Sequence, residues 1–221
     1  SFSVATPLPL DSSSGHRKPP LLSGGVPTMA CASSDRVQRI SSSGESRISM
    51  RPWADYFHER GYSVSVPLLP GHGTKPGDLN LVKWEQWPAK VDAELDWMKS
   101  QCEKVFIFGL SMGGGTTLNV ASKRSKEIAG IVLVNPMIHV KMVPHQLAWL
   151  ISRFQKMRDS VGDDIKAPGV TEHGYDSLPA VGVYQLLKML SYTRKRLHDV
   201  TVPLMLFHSK DDHTLPVTNT E

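Results

Sequence analysis

Long apolar runs and cysteines are both scarce in this 221-residue sequence. No stretch approaches the roughly 20 apolar residues that span a bilayer, so we expect no integral membrane segment. The two cysteines, Cys31 and Cys102, lie in unrelated contexts, which argues against a disulfide framework and favours a reducing, cytoplasmic location. The N-terminus lacks the basic region and apolar core of a signal peptide and begins with Ser, so we expect a fragment or a processed product.

Strong charge of one sign is also missing, because the net charge is only +4 with the nine histidines neutral. The basic residues form two clusters in polar surroundings without interleaved aromatic residues: Lys123, Arg124 and Lys126, and Arg194, Lys195 and Arg196. Such clusters are typical of solvated helix faces, so we expect no nucleic-acid partner. Asp211, Asp212 and His213 are adjacent, but no further ligand cluster and no HExxH spacing occurs, so we expect no metal and no cofactor.

The composition and the periodicity of the sequence change near residue 50. Residues 1–49 are rich in Ser, Gly and Pro and show no helical or strand period. We expect them to be irregular or disordered, and residues 18–49 to contribute no buried strand. Residues 50–221 have the size and apolar content of one folded domain with a single core.

Within residues 50–221, apolar strand patterns alternate with helical patterns. Strands are predicted at 62–66, 105–108, 131–134 and 203–207, and helices at 53–57, 84–98, 144–157 and 180–197. This alternation indicates an α/β fold with a buried, mostly parallel sheet flanked by helices. Residues 137–202 are too many for a simple crossover, so we expect them to form a small helical cap over the carboxyl edge of the sheet.

A GxSxG pentapeptide, residues 109–113, follows the apolar run VFIF and precedes a helix-compatible stretch. That context is typical of a nucleophile elbow, with Ser111 as the nucleophile and the Met112 N–H as an oxyanion donor. A phosphate-binding loop would need a lysine before Ser or Thr, and Thr116 and Thr117 follow here without one. An incidental serine in a glycine-rich turn is the remaining alternative.

The nucleophile needs an acid and a base, in the chain order Ser, acid, His. Two aspartates follow the run PLMLF, and we favour Asp212 over Asp211 as the acid, with a solvated, capping turn as the alternative. All nine histidines precede or adjoin this acid. His213 is too close to Asp212 to bridge easily to Ser111, and His72 in the PGHG loop suits a turn-stabilising role. We therefore expect the base to lie outside this chain.

Taken together, these motifs resemble one family. The segments GLSMGGG, PLLPGHGT, WEQW and VPLMLFHSKDDHTLP are similar to the bacterial α/β-hydrolase branch that contains monoacylglycerol lipases and small carboxylesterases, over about residues 50–221. The resemblance implies an α/β-hydrolase fold with Ser111 as nucleophile, Met112 as one oxyanion donor and Asp212 as acid. It also implies that the cap covers an acyl-binding pocket.

The sequence departs from that family at both ends. Members carry an HGFxG-type segment before MRP that completes the oxyanion hole, whereas this chain reads SSSGESRIS, with Gly44 as a weak substitute. An insertion or a misread frame between about residues 18 and 49 would explain the difference. The family's last strand, the loop with the catalytic histidine and the last helix would fall beyond Glu221. We expect the chain as it stands to lack these elements and to be impaired in catalysis.

The expected function is a serine carboxylic-ester hydrolase. We expect an acyl-enzyme on Ser111 and small, lipophilic acyl esters such as monoacylglycerols as substrates, and we leave the oligomeric state open. The lipophilic preference rests on the apolar residues of the cap, which suit a cap core equally well. Two alternatives remain: thioester, amide or acyl-transfer chemistry on the same fold, and a degenerate, non-catalytic binding protein.

Overall fold

The computed structural model describes residues 27–32, 37–40, 50–140, 145–154, 157–159, 177–212, 215 and 217–220. The strands are β1 (Thr28–Ala32), β2 (Gln38–Ile40), β3 (Tyr62–Val66), β4 (Val105–Leu110), β5 (Gly130–Val134), β6 (Met157–Asp159), β7 (Ser177–Pro179) and β8 (Leu204–Phe207). The helices are α1 (Arg51–Glu59), α2 (Gln86–Gln101), α3 (Met112–Arg124), α4 (His145–Phe154) and α5 (Ala180–Arg194). Short 3-10 helices lie at Pro76–Leu81, Ser125–Glu127, Leu197–Asp199 and Val217–Thr220.

Six strands form one sheet in the order β2-β3-β1-β4-β5-β8. The pairs β2–β3, β4–β5 and β5–β8 are parallel, whereas β1 runs antiparallel to both of its neighbours. In the described part of the chain, no strand pairs with the outer edge of β8. The sheet is therefore mixed and mostly parallel, and with its flanking helices it confirms the predicted α/β class.

Helices cover the sheet on both faces. The ring of Phe57 in α1 lies 4.7 Å from the ring of Phe108 in β4, so α1 packs on the face that carries Phe108. Side chains alternate along a strand, and the opposite face carries Ile107, Ile131 and Leu133, which are fully buried. On that face lie α2 and α3. Strands that are apolar on both faces are what such a three-layer arrangement requires.

Most of the predicted elements of residues 50–221 are confirmed. The structure begins α1 immediately after Met50, and the chain leaves this helix through Gly61, whose φ of +93° favours glycine. The predicted strand at 62–66 is β3, and the predicted helix at 84–98 becomes α2. Within 137–202, α4 and α5 pack together through Ala148, Val183 and Leu187. That these helices cover the active site stays a prediction.

The N-terminal part corrects one expectation. Residues 18–49 were expected to contribute no buried strand, but β1 lies inside the sheet between β3 and β4. Met29 and Cys31 in β1 are fully buried. Composition averaged over the Ser-rich segment hides the short apolar run of β1, and the partner strands that satisfy its backbone come from distant sequence. The sheet of the domain therefore includes residues upstream of the expected start at Met50.

The two cysteines also correct an expectation. A disulfide was argued against, yet Cys31 and Cys102 are paired, with their Cα atoms 6.1 Å apart. The pairing arises because the end of α2 packs on the sheet face that carries Cys31, which closes a sequence separation of 71 residues. The expected absence of a disulfide therefore no longer supports a cytoplasmic location, since disulfides are rare in reducing compartments. The cytoplasmic location stays a prediction.

No helix within the described ranges is both long enough and apolar enough to cross a bilayer.

Candidate active site

Ser111 occupies the turn between β4 and α3 with a strained backbone. Its φ of 50° and ψ of −119° lie in a region that residues with a side chain rarely adopt. Such strain persists only where the surroundings over-determine the conformation. The Ser111 N–H donates to the Val134 carbonyl at 3.1 Å, and the Ser111 carbonyl accepts bonds from the Gly114 N–H at 3.0 Å and the Met137 N–H at 2.9 Å. Both peptide groups of the serine are thus held in place.

The glycines around Ser111 are needed for close backbone approach. A Cβ atom on Gly109 would lie 2.7 Å from the Cα atom of Gly114, and one on Gly114 would lie 2.8 Å from Pro136. A Cβ atom on Gly115 would collide with the Met137 carbonyl. The GxSxGGG pattern therefore packs β4, α3 and the segment after β5 closer together than alanine would allow.

The amino end of α3 presents backbone donors beside Ser111. Met112 and Gly113 are the first residues of the helix, and the first N–H groups of a helix have no partner within it. The Met112 side chain is itself buried, which fixes the residue in the turn. These donors and the positive end of the helix dipole suit a developing oxyanion. The oxyanion role of Met112 stays a prediction, and Gly44 lies outside the described residues.

The strand register brings three loops to one edge of the sheet. Leu110, Val134 and Phe207 are neighbours at the carboxyl ends of β4, β5 and β8. Ser111 follows the first of these strands, and the loop with Asp212 follows the third. One strand separates them, so the strands that carry them are about 10 Å apart. An imidazole ring held between the two loops can bridge such a gap.

Asp212 is built into a turn, whereas Asp211 is exposed. The Asp212 carboxylate accepts the Leu215 N–H at 2.7 Å, and its own N–H donates to the Ser209 carbonyl at 3.3 Å. The half-buried Asp212 therefore has a fixed orientation, which favours it as the acid. Its catalytic role stays a prediction.

None of the histidines whose side chains are described hydrogen-bonds to Ser111. His72 is buried against Trp87 and contacts the Pro70 carbonyl at 3.2 Å through Nδ1, and burial lowers its pKa. His208 donates from Nε2 to the Leu215 carbonyl at 3.1 Å, next to the Asp212 turn. His198 is exposed beside Asp199. His16, His173 and His213 lie outside the described residues.

The cavity next to α1 is a separate feature. It measures about 370 Å³ and lies between α1 and the sheet. Its lining consists of Pro52, Trp53, Tyr56, Phe57, Phe108 and Val132. Neither Ser111 nor Asp212 contributes to this lining, so we do not take it as the acyl pocket.

Comparison with known proteins identifies the family. The Hydrolase_4 family, described as serine aminopeptidase, S33, matches residues 43–221. The chain belongs to the Hydrolase_4 family. It is 32% identical over 202 residues to the thermostable monoacylglycerol lipase of Bacillus sp. (strain H-257), covering 91% of this chain and 80% of the relative. The carboxylesterase of Bacillus subtilis (strain 168) is 25% identical over 170 residues, 75% of this chain and 66% of the relative.

Solved structures agree with this family. The structure reported with LipS and LipT, two metagenome-derived lipolytic enzymes, superposes on the Hydrolase_4 chain with a TM-score of 0.75 at 28% identity, covering 90% of this chain and 81% of that one. The monoacylglycerol lipase of Paleococcus ferrophilus, at 16% identity, has a TM-score of 0.58, covers 90% and 82%, and shows the fold alone. The predicted α/β-hydrolase fold and the predicted class, a hydrolase of the carboxylesterase and lipase type, are confirmed.

Asn135 is a residue of this Hydrolase_4 site that sequence reasoning missed. Its φ is 42°, and its N–H donates to the Phe207 carbonyl at 2.8 Å. Its side-chain oxygen accepts the Ser209 N–H at 2.9 Å. An asparagine directly after a strand is itself a sign of a left-handed turn, since asparagine tolerates the left-handed region better than other residues with a Cβ.

Proposed function

We propose that this Hydrolase_4 protein is a serine carboxylic-ester hydrolase that acts on lipophilic acyl esters such as monoacylglycerols through an acyl-enzyme on Ser111. The observation that carries the proposal is the elbow geometry of Ser111, with φ at 50° directly after β4 and before α3. The similarity to the monoacylglycerol lipase of Bacillus sp. supports the substrate class.

In the proposed reaction, Ser111 Oγ attacks the ester carbonyl and loses its proton to a histidine. The Met112 N–H stabilises the oxyanion of the tetrahedral intermediate, and the alcohol leaves with a proton returned by that histidine. Asp212 orients the imidazole and stabilises its charged form. Water then attacks the acyl-enzyme by the same steps and releases the carboxylic acid.

We propose that the base lies outside the described residues. The described histidine side chains support this, because His72 is buried in its own turn and the Nε2 atom of His208 donates to the Leu215 carbonyl. Because the base should follow the acid in chain order, the candidates are His213 and a histidine in further sequence. Hydrolysis that is lost in His213→Ala would identify His213 as the base. Hydrolysis that appears only in an extended chain would identify a histidine from the further sequence.

Apolar surface on the cap supports the lipophilic preference. Leu147, Trp149 and Leu150 on α4 are about half exposed, and Met137 and Val140 are partly buried next to the core. Flat and flexible apolar side chains suit an acyl chain. Met142 and Val143, two further apolar residues of the cap, lie outside the described residues.

A non-catalytic protein on the same fold is the second candidate. It is favoured by the absence of a histidine bonded to Ser111 among the described side chains. Loss of a triad base costs on the order of 10⁶ in kcat, so a protein without one would retain almost no turnover.

The test uses Ser111→Ala with Ser100→Ala, an exposed serine on α2, as the matched control. Both variants and the parent are assayed on chromogenic butyrate and caprylate esters and on a monoacylglycerol, and are treated with a fluorophosphonate probe. We expect Ser111→Ala alone to lose hydrolysis and labelling. Hydrolysis that survives in Ser111→Ala would remove the nucleophile assignment, and inactivity of every extended parent would favour the non-catalytic protein.

A further inference from the structure

Asn219 is a buried polar residue whose side chain holds a distant piece of backbone. It lies in the 3-10 helix Val217–Thr220 and is 6% exposed. Its Oδ1 atom accepts the Ile138 N–H at 3.2 Å and the His139 N–H at 2.5 Å. Its Nδ2 atom donates to the His139 carbonyl at 3.0 Å. One side chain therefore makes three hydrogen bonds to two consecutive residues about 80 positions away.

This pattern requires an amide. Oδ1 faces two N–H donors, so the atom there must be an acceptor, while Nδ2 faces a carbonyl and must be a donor. Aspartate would keep the two acceptor contacts but place a carboxylate oxygen against the His139 carbonyl. An apolar residue would leave buried backbone groups without partners, which costs more than a typical hydrogen bond contributes.

The segment that Asn219 holds is the one that supports Ser111. The Met137 N–H donates to the Ser111 carbonyl at 2.9 Å. A Cβ atom on Gly115 would meet the Met137 carbonyl, so this segment lies directly against the first turn of α3. Arg194 of α5 adds a second support, since its Nη1 atom donates to the Ile138 carbonyl at 2.9 Å.

We propose that Asn219 is a positioning residue for the nucleophile. It clamps residues 137–139 against the elbow and thereby keeps the strained backbone of Ser111 in its reactive conformation. This inference rests on the proposed function, because it gives Asn219 a role in the Ser111 reaction. A small displacement of a reacting group costs catalysis far more than it costs folding.

The test compares four variants of the full-length protein. Asn219→Ala removes the clamp, and Asn219→Asp keeps its acceptors. Asn119→Ala is the matched control for loss of a buried amide, since Asn119 is fully buried in α3 and bonds Thr193 and Lys123 instead. Thr220→Ala controls for the 3-10 helix itself, because its hydroxyl donates to the Val217 carbonyl within that helix. The readouts are kcat and KM on a caprylate ester, thermal stability, and amide hydrogen exchange of residues 137–139 by NMR.

We expect Asn219→Ala to lower kcat roughly 10- to 100-fold with KM changed less than about threefold, and to speed amide exchange at residues 137–139. Asn219→Asp should recover part of kcat. Asn119→Ala should lose thermal stability while kcat of the folded protein stays within about threefold of the parent. Unchanged exchange in Asn219→Ala, or kcat within twofold of the parent, would overturn the proposal. If neither this chain nor an extended parent hydrolyses an ester, the proposed function fails, and the exchange rates still decide whether the clamp exists.

Discussion

The side-chain oxygen of Asn135 accepts the Ser209 N–H at 2.9 Å, which bonds the turn after β5 to the loop that leads from β8 to Asp212. Asn135 also has a φ of 42°, so it shapes the turn after β5 through its left-handed backbone as well as through its side chain. The loops that follow β5 and β8 are therefore coupled through one asparagine.

Replacement of Asn135 should separate its two contributions. Asn135→Gly tolerates the positive φ but loses the side-chain bond, so we expect the free energy of unfolding to fall by about 1 kcal/mol. Asn135→Ala loses the bond and also bears the cost of the left-handed backbone, so we expect a loss of about 2 to 3 kcal/mol. Urea unfolding monitored by tryptophan fluorescence measures both. Equal losses of unfolding free energy in the two variants would mean that the left-handed backbone adds no cost to the alanine variant.

Gly109 should tolerate no side chain. A Cβ atom there would lie 2.7 Å from the Cα atom of Gly114 and 2.8 Å from the Gly113 carbonyl oxygen, and neither backbone can move without shifting α3. We expect Gly109→Ala to destabilise the protein by about 3 kcal/mol or more and to reduce its soluble yield. Gly77→Ala is the matched control, because nothing lies within 4 Å of a Cβ atom at Gly77. Comparable midpoints of thermal unfolding for the two variants would contradict the close packing of the elbow.

The ion pairs of Glu127 should give the stability a pH dependence in acid. Hydrogen bonds from Arg124, and then from Lys99, lower the pKa of Glu127 from 4.5 to about 2. Because the folded pKa is the lower one, this stabilisation is complete above pH 4.5 and is lost as the pH falls towards 2. The carboxylate is more than a third exposed, so we expect Glu127→Gln to cost only about 0.5 to 1 kcal/mol at pH 7.

Denaturant unfolding at several pH values between 7 and 3 measures this effect. The difference between the parent and Glu127→Gln should shrink as the pH is lowered. Glu103→Gln is the control, because Glu103 is exposed and forms no ion pair among the described residues. A constant difference across the pH range would show that the Gln variant acts through something other than charge.

The Cys31–Cys102 pair should be detectable by thiol counting. Unfolded without reductant, the protein should show no reactive thiol, and after reduction it should show both. Closing a loop of this length is worth about 4 kcal/mol in the chain-entropy account, so Cys102→Ser should lower the stability of the oxidised protein by up to that amount. Two reactive thiols in protein purified without reductant would contradict the pairing and would agree with a cytoplasmic location.

Local pattern was enough to predict the parts of the fold whose hydrogen bonds and burial follow from contiguous residues. The helix α2 has apolar residues at steps of three and four, β3 alternates valine with serine between Gly61 and Pro67, and β5 is a short apolar run that ends before Pro136. The glycines around Ser111 predicted a tight strand-to-helix turn, because only a few neighbouring residues determine that geometry.

The remaining features depend on partners that are distant along the chain. β1 is a strand because β3 and β4 satisfy its backbone, and Cys31 meets Cys102 because α2 packs on the same face. Asn219 reaches residues 138 and 139 only once the chain after β8 returns to the end of β5. The sequence by itself determined the tight turn at Ser111, the order of most elements and the family, since these are carried by adjacent residues. Only the tertiary structure decided the central antiparallel strand, the cysteine pair and the clamp, because each joins groups that are separated by tens of residues and meet only when the sheet has formed.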